Sequence, residues 1–193
     1  MLLQAFTLLL AYLIGSAPVG LILATLYADL DVREQGSGNI GATNVLRTTG
    51  RTLGAVTLVI DLLKGLLPAL LAGLMFEAPE WVAVAGFLAV MGHCFSIYLE
   101  FNGGKGVATG AGAMLAVAPT VLLATAAVWG LVFALGRRSS LAALLSLAAL
   151  QGFTWWLAPE WLWFSVLLAG LLVMRHVENI RRLATGSEAR IGG

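Results

Sequence analysis

Long apolar runs separated by short polar stretches set the pattern of the chain. Six apolar blocks stand out, at 2–28, 52–76, 81–100, 107–135, 141–157 and 161–175. Roughly 20 apolar residues carry a helix across the hydrocarbon of a bilayer, and these runs are too long for buried strands or core helices. The pattern therefore predicts an all-α, polytopic bundle of transmembrane helices. The block at 107–135 is too long for one comfortable span and has Ala118-Pro119 near its middle. Proline removes a helix donor and biases the residue before it away from α geometry. Two readings follow: one kinked helix, or two short spans that part at Pro119.

The placement of charge separates them. Basic residues gather at Arg33, Arg47 and Arg51, at Lys105, at Arg137 and Arg138, and from Arg175 onward. The connections in between carry Glu77 and Glu80, then no charge near Pro119, then Glu160, with no Lys or Arg in any of them. A break at Pro119 gives about seven spans, two of them short, and puts every basic loop on one side. A single kinked span would set Arg137 and Arg138 opposite Lys105. Basic loops are normally cytoplasmic, so seven spans fit better, with the N-terminus outside and the C-terminus inside. The short spans would be accommodated by tilt, thinning or protein cover. The first block has no Lys or Arg ahead of it and exceeds the roughly 7–15 apolar residues of a signal peptide, so it reads as a retained span. No linker, repeat or low-complexity segment interrupts the chain, which reads as one domain over 1–193.

Composition agrees and adds exclusions. Hydrophobic residues make up 60 % of the 193 and charged residues 11 %, and the mean hydropathy is +0.93. A soluble domain of this size needs a far more polar surface. The net charge of +1 offers no basis for a nucleic-acid partner. The single Cys94 excludes an intrachain disulfide and a multi-cysteine metal site.

Four polar segments carry the candidate chemistry. The first holds Gly36, Ser37, Gly38, Asn39, Gly41, Asn44 and Arg47. Its glycines allow close backbone approach, and exposed amides with a hydroxyl and a guanidinium suit a tetrahedral oxyanion; a turn-rich connector would read the same. The second, Gly103, Gly104, Lys105 and Gly106, precedes an apolar helix, so amides, helix dipole and ammonium can converge on phosphate. It lacks the spacing of a Walker A loop, and Lys105 alone could be a snorkelling boundary residue. The third, Arg137, Arg138, Ser139 and Ser140, reads as a positive-inside anchor with a helix N-cap at Ser140. In the fourth, His176 and Asn179 lie three apart on one helix face at the membrane edge, suited to a polyol or phosphate; a solvated basic helix end would look alike. Within the second block, Asp61 and Lys64 are spaced for a mutual ion pair, read either as glue between helices, the favoured reading, or as a substrate contact, and on the third block His93 reads as an interior histidine rather than a metal ligand. Charge parity puts all four segments on one membrane face, where a substrate with an anionic head and an acyl tail meets both environments.

In these segments the sequence resembles the bacterial PlsY family, acyl-phosphate-dependent glycerol-3-phosphate acyltransferases. The resemblance is carried by GSGNIGATNVLRTTG at 36–50, GHCFSIYLEFNGGKGVATG at 92–110 and RHVENIRRLATGSE at 175–188, with DLLKG at 61–65 and SLA after Ser139. It covers nearly the whole chain. Ser96 stands where the family usually has proline, Asn102 where it often has lysine, and Val177 where it is commonly basic.

The resemblance implies transfer of a fatty acyl group from acyl phosphate to the 1-hydroxyl of sn-glycerol 3-phosphate, giving lysophosphatidate and phosphate for phospholipid synthesis in the bacterial inner membrane. It implies no cofactor and no metal, membrane lipid as the surroundings, and a loose coupling to the enzyme that produces acyl phosphate. Carried over by position, Ser37, Arg47, Lys105, Ser140, His176 and Asn179 form the catalytic set. Gly36, Gly38, Asn39, Gly41, Asn44, Gly103, Gly104 and Gly106 form the substrate-binding set. Arg47, Lys105 and the second loop's amides would hold phosphate, Ser37 the acyl-phosphate head, and Ser140, His176 and Asn179 the glycerol phosphate. Two other classes remain open on the residues alone. A transporter for a small phosphorylated anion would continue its polar residues to the outer side. A lipid phosphatase would want an activated nucleophile or paired histidines in the cluster.

Overall fold

A computed structural model describes residues 1–192. Among them every regular element is helical. In order these are α1 (Leu2–Ser16), α2 (Val19–Ala28), α3 (Ala42–Thr49), α4 (Arg51–Met75), α5 (Glu80–Cys94), α6 (Val107–Val117), α7 (Pro119–Gly136), α8 (Ser139–Leu157), α9 (Leu162–Arg175) and α10 (Val177–Ala184). Short 3₁₀ turns occupy Ile97–Leu99 and Pro159–Trp161.

Five stretches are long and apolar enough to cross a membrane: Leu2–Ala28, Arg51–Met75, Glu80–Leu99, Pro119–Gly136 and Ser139–Leu157. The pair Pro159–Arg175 and Val177–Ala184, bent by 62°, makes a sixth if taken as one span. Apolar α6 is the seventh helical segment, but its 11 residues cover only about half of a hydrocarbon layer roughly 30 Å thick. The protein is thus an all-helical, multi-pass membrane protein. Of the two short spans expected around Pro119 only α6 is short, since α7 runs for 18 residues. The block at 107–135 is two helices, not one kinked helix. Ala118 leaves the helical region (φ −148°, ψ 77°), as a residue before proline is pushed to do, and Pro119 opens α7 where its missing N–H is not needed.

The first apolar block is also broken. Helix α1 ends at Ser16 and α2 begins at Val19, because Pro18 stops the helix and leaves upstream carbonyls without helical donors. Two buried side chains from elsewhere supply them: Ser96 Oγ donates to the Ser16 carbonyl at 2.6 Å and Lys64 Nζ to the Ala17 carbonyl at 2.8 Å.

The described residues fall into two compact units that divide at Ala118. In the first, Met1–Val117, α4 packs against α1, α5 and α6, and α5 against α1 and α6. Glycine makes these approaches close. A Cβ on Gly15 would stand 2.0 Å from the Ala89 carbonyl oxygen and one on Gly92 2.2 Å from that of Tyr12, so α1 and α5 meet backbone to backbone. Helices α4 and α6 do the same through Gly65 against the Thr109 carbonyl and Gly112 against the Leu62 carbonyl, each at 2.0 Å. Lipid supplies little drive for apolar packing between helices, and small residues that let backbones touch take its place. In the second unit α8 packs against both α7 and α9. Gln151 and Ser165 clasp α8 to α9: Ser165 Oγ donates to Gln151 Oε1 at 3.0 Å and Gln151 Nε2 to the Ser165 carbonyl at 3.2 Å.

Candidate active site

In the first unit the polar segment between α2 and α3 is a self-bonded loop. Gly36 and Gly38 have φ of 61° and 69°, left-handed values that glycine adopts at no steric cost. Asn44, in the first turn of α3, is buried and turns its amide back into the loop. Its Nδ2 donates to the carbonyls of Val32 (2.8 Å) and Gln35 (3.0 Å), and its Oδ1 accepts from the Ser37 amide at 2.8 Å. Asn44 therefore organises the loop instead of facing outward. Asn39 Oδ1 accepts from the Gly41 amide at 2.9 Å, shaping the approach to α3. With those bonds made, the side chains of Ser37 and Arg47 are left exposed. Arg33 does not join them, because its guanidinium grips Asp31 at 2.6–3.1 Å. That hydrogen bonding from Arg33 holds the Asp31 carboxyl below the ordinary carboxylate value.

The second glycine segment follows α5. The Gly103 amide donates to the Cys94 carbonyl (3.2 Å) and the Gly104 amide to the His93 carbonyl (2.9 Å), which folds the segment back along the end of α5. Gly104 and Gly106 are buried and Lys105 is half-buried. Gly106, with φ 79°, turns the chain directly into α6, so the lysine stands just ahead of that helix's free amides. The two loops share an end of the unit: Leu99, in the turn before the glycines, packs on the cluster of Val32, Ile40 and Val45 that underlies the first loop.

In the second unit the polar residues converge on one carboxylate. Glu188 Oε1 accepts from Ser140 Oγ and from Asn179 Nδ2 (2.7 Å), and Glu188 Oε2 from Arg182 Nε (2.7 Å). Arg138 Nε donates to the Glu188 backbone carbonyl at 3.1 Å. Burial pushes the Glu188 carboxyl up, but the hydrogen bonds from Ser140, Arg182 and Asn179, with the Arg182 charge, outweigh it and hold the group below its ordinary value. The N-cap expected at Ser140 is not formed. Arg138 takes the cap position, Ser140 lies inside α8, and its hydroxyl is drawn to Glu188.

Asn179 is buried, and its Oδ1 has no hydrogen-bond partner among the described residues, leaving an acceptor for a ligand hydroxyl. His176 sits buried at the bend between α9 and α10, with Nδ1 2.7 Å from the Leu172 carbonyl. A carbonyl only accepts, so Nδ1 is the donor of that bond. Glu188, which joins the candidate residues Ser140 and Asn179, is a candidate site residue not singled out from the sequence. Its one signal was its place at the end of the RHVENIRRLATGSE motif.

The sequence patterns and the fold both have close counterparts. A family model described as glycerol-3-phosphate acyltransferase matches residues 5–186. A glycerol-3-phosphate acyltransferase of Jannaschia sp. (strain CCS1) is 47 % identical, over 99 % of this chain and 94 % of its own. One from Methylorubrum populi is 51 % identical, over 96 % and 91 %. Among solved structures, the glycerol 3-phosphate form of PlsY, an integral membrane glycerol 3-phosphate acyltransferase, superposes with a TM-score of 0.92 at 37 % identity, covering 98 % of this chain and 96 % of that one. Its lysophosphatidic acid form gives 0.89 at 36 % identity, covering 98 % and 95 %.

Proposed function

The chain belongs to the glycerol-3-phosphate acyltransferase family, and on that premise we propose that it takes the acyl group from acyl phosphate and places it on the 1-hydroxyl of sn-glycerol 3-phosphate. Lysophosphatidate and inorganic phosphate are the products. The observation that carries this reading is the likeness, over 98 % of the chain, to PlsY structures described as glycerol 3-phosphate and lysophosphatidic acid forms. The first would be a substrate here and the second the lipid product.

The residues support a division of labour. Arg47, Lys105 and the amides of Gly103, Gly104 and Gly106 neutralise phosphate, and Ser37 meets the acyl-phosphate head. His176, Asn179 and Ser140, with Glu188 fixing the last two, orient the glycerol phosphate. Acyl phosphate already carries a good leaving group, so no acyl-enzyme is needed. The hydroxyl oxygen bonds to the acyl carbon, the bond from that carbon to the bridging oxygen breaks, and phosphate departs with the electron pair. The hydroxyl proton passes to His176 Nε2 or to the departing phosphate, itself a base. Turnover unchanged in His176→Ala would assign the proton to the phosphate.

The basic connections support an inner-membrane protein with the N-terminus outside and the reacting groups on the cytoplasmic face. The enzyme that makes acyl phosphate would deliver it from that face.

Purified protein supplied with glycerol 3-phosphate and either acyl phosphate or acyl-CoA tests the reading. Lysophosphatidate should form from acyl phosphate, and Lys105→Ala should lower its rate by about 10²–10³, the cost of removing one charge-stabilising donor. Formation from acyl-CoA alone would reject the donor.

A further inference from the structure

One buried polar array in the first unit has no place in the division of labour above. Asp61 and Lys64 of α4 and His93 of α5 are each no more than 5 % exposed. Lys64 Nζ lies 2.9 Å from Asp61 Oδ1 and donates to the Ala17 carbonyl at 2.8 Å. The same Asp61 oxygen faces His93 Nδ1 at 3.7 Å. Asp61 and Lys64 share one helix and so cannot by themselves join two. The joining is done at the ends of the array, by Lys64 at the break between α1 and α2 and by Asp61 toward α5.

The far end of the array is the glycine loop. The His93 carbonyl accepts the Gly104 amide at 2.9 Å. A Cβ on Gly104 would stand 2.1 Å from His93 Nε2, and one on Gly103 2.0 Å from the His93 carbonyl oxygen. The imidazole is therefore a floor on which the Gly104 backbone rests, with its Nδ1 edge turned to Asp61. This also accounts for glycine at 103 and 104 on grounds of space, with no ligand invoked.

We propose that His93 is a positioning residue. Braced by the Asp61–Lys64 pair, its ring fixes the height of the loop and so the placing of the Gly104 and Gly106 amides and of Lys105 against a substrate phosphate. The inference rests on the reading that this loop holds such a phosphate. It gives the two intramembrane charges a task beyond gluing helices: a buried charge costs several kcal/mol unless paired, and the pair here is spent on bracing the support of a binding loop.

The two edges of the ring can be tested separately. An asparagine amide reaches about where Nδ1 lies and a glutamine amide about where Nε2 lies. His93→Asn keeps a group toward Asp61 and vacates the floor under Gly104; His93→Gln does the reverse. Kinetics of the purified full-length protein in detergent, with acyl phosphate and glycerol 3-phosphate varied in turn, should show KM for at least one of them raised about tenfold in His93→Asn, with kcat within about threefold. His93→Gln should stay within about threefold of the parent in both constants. Equal effects, or a milder Asn variant, would overturn the inference, since a merely structural histidine has more to lose at its Asp61 edge.

Gly104→Ala provides the arm from the loop side. It should raise the same KM, and the double variant with His93→Asn, in which the floor is gone, should be no worse than the poorer single one. Effects that multiply contradict the contact. Should His93→Asn not accumulate, Gly104→Ala alone decides, and a parental KM overturns the inference. Lys105→Ala separates the two levels: no effect there removes the loop's phosphate role, whereas lost activity there beside matching Asn and Gln variants removes only the positioning role.

Discussion

At the scale of single residues, Glu188 shows most clearly how a polar cluster is assembled from ordinary parts. It draws Ser140, Asn179 and Arg182 onto one carboxylate, and its replacement should be felt by all three. Glu188→Gln is expected to cost about 1.5–3 kcal/mol, the range for a hydrogen bond to a charged group, and to lower activity with it. The pH dependence follows from the sign of the shift. A carboxyl held below its ordinary value of 4.5 contributes stability that is present above that value and is lost as pH falls through the folded value. Thermal unfolding in detergent should therefore separate parent and Glu188→Gln at neutral pH, and the gap should close on acidification below about 4.5. A gap that is constant with pH would refute the carboxylate's role. The motif residues were legible in the sequence because glycine, lysine and histidine at membrane edges have few uses. Glu188 was not, because its meaning comes from three donors, one of them 48 residues away. Asn44 was legible as important but not as a loop staple, since three backbone partners cannot be inferred from spacing.

At the scale of elements, apolar length predicted the helices and glycine decides how some of them meet. Gly112→Leu puts a side chain where the Leu62 carbonyl oxygen already stands. Gly170→Leu enters open space, with nothing within 4 Å of the added Cβ. Overpacking costs about 1–3 kcal/mol or more when backbone blocks the way. The first variant should fail to accumulate or lose many degrees of thermal midpoint, and the second should match the parent; similar behaviour of the two would refute backbone contact between α4 and α6. The sequence told strong breaks from weak ones only in part. Ala118-Pro119 was legible because the run it divides is too long for one helix. Pro18 was not, because a run at 2–28 has the length of one span. The buried donors that make its break tolerable, Ser96 and Lys64, lie far along the chain.

At the scale of the whole molecule, the proposed topology rests on the distribution of Lys and Arg. Reporter tags inserted after Arg138 should be cytoplasmic and tags between Glu77 and Glu80 external; a tag after Arg138 that reports outside would require Arg137 and Arg138 to lie opposite Lys105. Fold class and family were legible from hydropathy and three motifs, because lipid restricts a spanning chain to few architectures and the motifs are long. The length of α7 was not, because apolar composition says what a segment tolerates and not where its helix ends. The central proposal is direct acyl transfer from acyl phosphate, and a rapid-quench single turnover tests it most directly. With enzyme in excess over acyl phosphate, phosphate and lysophosphatidate should appear together at one rate and in equal amount, and only when glycerol 3-phosphate is present. A burst of phosphate without glycerol 3-phosphate, leaving acylated protein, would contradict it.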